Sequence, residues 1–235
     1  MLILRPSAER GFADHGWLQA RHSFSFADYY DPREMGWGAL RVINEDRVAP
    51  GTGFGMHGHR DMEILTWIIS GELEHRDSLG HGGIIRRDEY QRMSAGKGIL
   101  HSEFNPSATV PTHLLPIWIE PAARGLPASY EQRQLPAEAL DGRLRLLASP
   151  DGADGSAVIQ QAARVWAARL PAGDTLELPA DEARLGYLHL VSGELRIEDG
   201  PAMVTGDGLK VAGERGLRLA ATAAAEFLWF DLPPA

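Results

Sequence analysis

The sequence predicts an all-β protein made of two tandem domains of related design, with few and short helices. Three observations carry this. The first is punctuation: 26 Gly and 15 Pro cut the chain into short runs, as tight turns between strands require. The second is a series of strand-length apolar runs at Gly38–Ile43, Ile64–Ile69, Leu114–Ile119, Leu144–Ala148, Tyr187–Val191, Leu217–Ala220 and Phe227–Phe230. Helical character is expected only over Pro136–Leu140 and Ser25–Tyr30. The third is an internal repeat. Ile69-Ser70-Gly71-Glu72-Leu73 recurs as Val191-Ser192-Gly193-Glu194-Leu195, and Pro116-Ile117-Trp118-Ile119-Glu120-Pro121 is echoed from Phe227 to Pro233. Two echoes in the same order, each beside an apolar run, point to duplication. The turn-rich stretch Arg124–Pro136 places the boundary, giving a first domain at 1–130 and a second at 131–235.

Composition removes several function classes. The chain has no cysteine, so it has no disulfide, no thiolate nucleophile and no cysteine-type zinc site. A formal charge of −9 and the lack of any basic run beyond Arg86-Arg87 argue against direct nucleic-acid binding. No stretch approaches the ~20 apolar residues of a membrane helix, and Met1–Leu4 is too short for the core of a signal peptide. The expected compartment is the cytoplasm.

The chemistry is concentrated between Gly51 and Asn105. His57 and His59, two apart on a strand, share a side, and the same parity puts His101 and Glu103 on one side of a second strand. If the two strands face each other, three imidazoles and a carboxylate converge on one point, which would make a metal site. Glu63 keeps the parity of His57 and His59 if the strand is regular, so it competes for the fourth position; its plainer reading is a carboxylate satisfied beside Arg60. The repeat adds a negative prediction. The second-copy positions that match His57 and His59 hold Pro179 and Asp181, and those that match His101 and Glu103 hold Ala212 and Glu214. Only the first half carries the ligand set. His15, His22, His75, His81, His113 and His189 each lack a partner at ligand spacing; His22 could border a pocket. Trp67, Trp118 and Trp229 read as core.

Gly51, His57, His59 and Glu63, followed by Gly98, His101 and Asn105, resemble the two motifs of cupin domains. The chain as a whole resembles the pirin family, most closely its bacterial quercetin 2,3-dioxygenase-like members. The resemblance is carried by His22–Pro32, Gly38–Asn44, Gly53–His59, Met93–Gly96, Glu103–Pro106, Ile117–Pro121 and Tyr130–Arg133. It implies a bicupin, two jelly-roll barrels with a metal in the first only. It also implies Glu103 rather than Glu63 as the fourth ligand beside His57, His59 and His101, leaving Glu63 as a pocket group. One departure is Gly58, where the family often has proline.

Three imidazoles and one carboxylate suit an octahedral divalent ion with two free positions. Fe(II) is the expected cofactor; Ni, Co, Mn, Cu or Zn accept the same ligands. Such a site leaves one net positive charge, and a flavonol offers a matching enolate oxygen beside a carbonyl. The resemblance implies ring cleavage of a flavonol-like aromatic with O2, Glu103 or Glu63 taking the substrate's hydroxyl proton. It equally allows a non-catalytic, redox-sensing regulator that binds a protein partner. A monomer is expected, because two cupin halves can cover each other.

Overall fold

The computed structural model describes residues 1–136 and 138–234. In the first half a seven-stranded antiparallel sheet runs in the order Ser129–Gln134, Glu89–Ser94, Glu63–Ser70, Thr112–Ile119, Leu40–Val48, Leu18–His22 and Gly11–Asp14. A four-stranded sheet, in the order Gly53–His59, Ile99–Phe104, Glu72–Asp77 and Gly82–Arg86, packs against it. Leu18, Ala20, Val48, Ile68 and Leu114 of the larger sheet close on Leu73, Ile85 and Phe54 of the smaller. The second half is a nine-stranded sheet. Its edge is supplied by the chain's own beginning: Leu2–Arg5 pairs antiparallel with Gly208–Ala212.

Glu63–Ser70 shows why the sequence reads as it does. Ile64 and Thr66 face the space between the two sheets of the first half. Leu65 and Trp67 point the other way, into an apolar cluster shared with Leu147, Val165, Tyr187, Leu228 and Phe230 of the second half. A strand covered on both faces is apolar throughout rather than alternating.

The repeat has a structural counterpart. Gly71 and Gly193 both adopt left-handed backbone, at φ 77° and 90°. A Cβ would meet Pro111 O at 2.7 Å in the first copy and Ala224 O at 2.1 Å in the second. Each glycine therefore lets the chain press on the backbone of a neighbouring strand, at the start of Thr112–Ile119 in the first copy and midway along Leu217–Leu232 in the second, and neither position accepts a side chain.

Several expected elements differ. Ser25–Tyr30 is a turn closed by the Phe26–Tyr29 bridge, because Ala27 takes left-handed backbone at φ 49°, which ends any helix. In Pro136–Leu140, residues 138–140 form a turn and residue 137 lies outside the described residues. The described residues hold two short 3-10 segments, Ser7–Glu9 and Ala153–Gly155, and no α-helix. Leu217–Ala220 and Phe227–Phe230 belong to one sixteen-residue strand, Leu217–Leu232; the alanines between them are weak strand formers held by pairing with Leu185–Ile197. The strand Ser129–Gln134 spans position 130 and pairs with Glu89–Ser94. Among the described residues no helix is long and apolar enough to cross a membrane.

Candidate metal centre

Gly53–His59 and Ile99–Phe104 are neighbours in one sheet rather than strands of opposed sheets. They pair antiparallel with His57 directly opposite His101, and the register shifts between His101 and Glu103. Cross-strand neighbours lie about 4.5–5.5 Å apart at Cβ, so the pairing itself delivers the convergence. The rings of His57 and His101 lie 4.4 Å apart, those of His59 and His101 4.8 Å, and those of His57 and His59 4.9 Å. One ligand nitrogen from each of the three lies within 4.8 Å of the others. Glu103 enters a second, overlapping group with His101 and His75.

The electrostatics suit metal ligation. Burial, reinforced by His57, lowers the His59 imidazole to about 4. Burial together with His57, His59 and His75 takes His101 down to about 3. Both rings are neutral at pH 7, as ligands must be. His57 Nδ1 lies 2.8 Å from the carbonyl oxygen of Gly55; a carbonyl only accepts, so Nδ1 carries the hydrogen and Nε2 keeps its lone pair. His101 Nε2 is buried with no hydrogen-bond partner, a costly state for a polar atom that an electrophile would relieve. Glu103 Oε1 accepts from Gln91 Nε2 at 2.9 Å. Burial raises its carboxyl to about 7 against the hydrogen bonds of Gln91 and Thr66, and a nearby divalent charge would favour its ionised form. The donor set fits a divalent transition metal.

The three histidines and Glu103 open onto a cavity of about 660 Å³ between the two sheets, within the range of small-molecule sites. Its walls are apolar and aromatic: Trp17, Phe26, Phe54, Ile64 and Trp118 among them, with His22, Asn44, Asp46 and Thr66 as polar inserts. Trp118, expected in the core, is a wall of this cavity, edge-on to His59 at 4.9 Å and to Phe26 at 5.3 Å. Its strand faces the cavity at Pro116 and Trp118 and the second half at Leu115, Ile117 and Ile119. His22 does border the cavity, its Nδ1 2.8 Å from Asn44 Oδ1.

Glu63 is not brought to the other candidates. Its carboxylate accepts from Ser94 Oγ at 2.7 Å and lies on the face of its strand opposite to Ile64 and Thr66. Continuity of parity from His59 fails because Asp61, at φ 50°, turns the chain between the two strands. Asn105 closes a loop: its Nδ2 donates to Val48 O and Val110 O, at 3.1 and 2.8 Å.

Sequence reasoning passed over Asp46 and Gln91, and it set His75 aside as lacking a partner at ligand spacing, whereas the fold brings His75 Nδ1 to 3.5 Å from His101 Nδ1. Asp46 is buried at the cavity wall with Oδ1 unpartnered; its signal was the alternation Val42, Asn44, Asp46, two polar residues on an otherwise apolar face. His75 and Asp77 carry the same two-residue spacing as the ligand pairs.

The chain resembles known proteins along its whole length. The profile of the family described as Pirin matches residues 4–119, and that of the quercetinase C-terminal cupin domain matches residues 146–232. A quercetin 2,3-dioxygenase of Escherichia coli strain K12 is 45% identical over 235 residues, covering 100% of both chains. The crystal structure of the bacterial pirin YhhW from Escherichia coli in complex with nickel(II) superposes with a TM-score of 0.95 at 43% identity, again covering 100% of both chains. The protein YhaK from Escherichia coli gives a TM-score of 0.77 at 29% identity, over 95% of this chain and 98% of its own. The chain belongs to the pirin family and has its two-cupin fold.

Proposed function

We propose that this pirin is a metal-dependent dioxygenase that cleaves a flavonol-like aromatic with O2, as the name of its Escherichia coli relative states for that protein. The observation that supports it most is the meeting of His57, His59 and His101 at the wall of an apolar cavity of about 660 Å³. His57, His59, His101 and Glu103 would hold one divalent ion in the first half, residues 1–130, while residues 131–235 form the cupin without ligands. Fe(II) is the ion we favour; the nickel(II) complex of YhhW makes Ni(II) the first alternative.

A bound divalent metal supplies Lewis-acid polarisation of substrate oxygens and a path around the spin mismatch between O2 and a closed-shell aromatic. The protein does the rest. Trp118, Phe26 and Phe54 offer flat apolar faces for fused rings and keep water from them. Glu103, whose carboxyl sits at about 7 in the metal-free chain, accepts the substrate's hydroxyl proton; Gln91 Nε2, bonded to it at 2.9 Å, keeps the accepting oxygen in place. Asn44, Asp46 and His22 pair with the polar rim of the substrate.

The test is O2 uptake with quercetin by protein of measured metal content. Fe(II)- or Ni(II)-loaded protein consumes O2 as the flavonol absorbance falls, and His101→Ala loses both the metal and the uptake. Quercetin left intact by fully loaded protein in air would overturn the dioxygenase reading.

A further inference from the structure

On the side of His101 away from the cavity, a row of polar side chains runs to the surface. His101 Nδ1 and His75 Nδ1 are 3.5 Å apart, the outer reach of a hydrogen bond. His75 Nε2 lies 3.3 Å from Asp77 Oδ2, and His81 Nδ1 lies 3.1 Å from the same oxygen. The other oxygen, Asp77 Oδ1, accepts the backbone N–H groups of Leu79 and His81 at 2.9 and 3.0 Å. The side chains of His75 and Asp77 are fully buried. Tyr130 stacks on His75 at 4.5 Å and 13°, which fixes the plane of that ring.

We propose that His75 and Asp77 are positioning residues that set the tautomer of His101, so that its Nε2 lone pair faces the metal position. The inference rests on the reading of His101 as a metal ligand. An anchored carboxylate only accepts, so His75 Nε2 carries the hydrogen. A neutral His75 then presents a bare Nδ1, whose one available partner in this row is the Nδ1–H of His101. With its hydrogen committed there, His101 has its lone pair on Nε2, the buried atom that lacks a partner. His57 reaches the same tautomer by a different route, through the Gly55 carbonyl. Outer partners of this kind fix ligand orientation and raise ligand basicity.

Co(II) is the probe, with affinity read by competition against a chromophoric chelator and geometry by the ligand-field absorption of the bound ion. His75→Leu and Asp77→Asn should weaken Co(II) binding by roughly 10- to 100-fold and alter the absorption. Asp77→Asn matters because it is nearly isosteric: its amide can donate to His75 Nε2 and turn that ring to the opposing tautomer. His75→Gln keeps an acceptor for His101 and a donor for Asp77, and should bind close to the parent. His57→Ala is the control for lost ligation. Parent-like affinity in His75→Leu, with loss in His57→Ala, overturns the inference and leaves the metal reading intact. Equal weakness in His75→Gln and His75→Leu also overturns it, since ring bulk would then be what matters. A parent chain that binds no Co(II) sinks both.

Discussion

At Asp46 burial and two neighbouring carboxylates act in the same direction, against Arg10. Burial first, then the Glu103 and Glu45 carboxylates, raise its carboxyl from 3.8 to about 8. Between those two pH values the folded chain holds a proton that the unfolded chain has released, so stability falls as pH rises across that window. Asp46→Asn keeps the shape and removes the ionisation. In metal-free protein it is expected to flatten this decline and to add on the order of a few kcal/mol near neutral pH. Urea unfolding of parent and variant over a pH series reads the effect; parallel stability curves would refute it. Asp46 also shows the limit of residue-level reading. His57, His59 and His101 were legible because a two-residue spacing on a strand fixes their side, whereas a lone carboxylate becomes informative only when its depth is known.

The strand pair Gly53–His59 and Ile99–Phe104 carries the site, and its glycines are not equivalent. A Cβ on Gly53 would lie 2.2 Å from Glu103 O and 2.5 Å from Phe104 Cα, backbone atoms that cannot move without displacing Glu103. A Cβ on Gly58 would meet Leu100 Cδ2 at 3.2 Å, the tip of an exposed side chain that can turn away. Gly53→Ala is therefore expected to cost about 1–3 kcal/mol through overpacking and to lower bound metal. Gly58→Ala should keep the metal and gain about 0.4–1 kcal/mol by restricting the unfolded chain. Thermal unfolding and metal content of the two variants decide it, and a Gly53→Ala variant with parent stability and metal content would refute the close packing of the two strands. The long central strands were readable because their apolar runs are continuous or alternate cleanly, whereas short ones such as Gly11–Asp14 and Gly82–Arg86 carry no such run. What the sequence hid was relation. It allowed the two ligand strands to face each other, although they are hydrogen-bonded neighbours. It also carried the parity of His59 through to Glu63, although the left-handed Asp61 resets it.

The two halves are joined by more than a linker, which bears on how the whole molecule unfolds. Leu65, Trp67 and Ile117 of the first half share one apolar cluster with Leu147, Val165 and Phe230 of the second. Beside it Glu226 accepts from Trp67 Nε1 at 2.9 Å, Arg87 Nη2 at 2.7 Å and Arg169 Nε at 2.9 Å. One carboxylate thus satisfies donors from both halves, and Arg169 also pairs with Asp88 of the first half. The repeat foretold two similar units but not this seam, because Trp67 and Glu226 are distant in sequence and neither is unusual alone. The strand Leu2–Arg5, which pairs with the second sheet, ties the halves further. We expect parent protein to unfold in one transition, with tryptophan fluorescence, to which Trp67 at the seam contributes, and far-ultraviolet circular dichroism coinciding. Glu226→Gln leaves two guanidinium groups without their shared counter-charge. Arg87 is 44% exposed and Arg169 keeps Asp88, so the expected loss is that of a charge-assisted hydrogen bond, about 1.5–3 kcal/mol, rather than that of a fully buried pair. The loss should fall on the seam, so that the fluorescence transition moves to lower denaturant ahead of the circular dichroism. A variant as stable as the parent, or one whose two probes still coincide, would mean that the apolar cluster alone couples the halves.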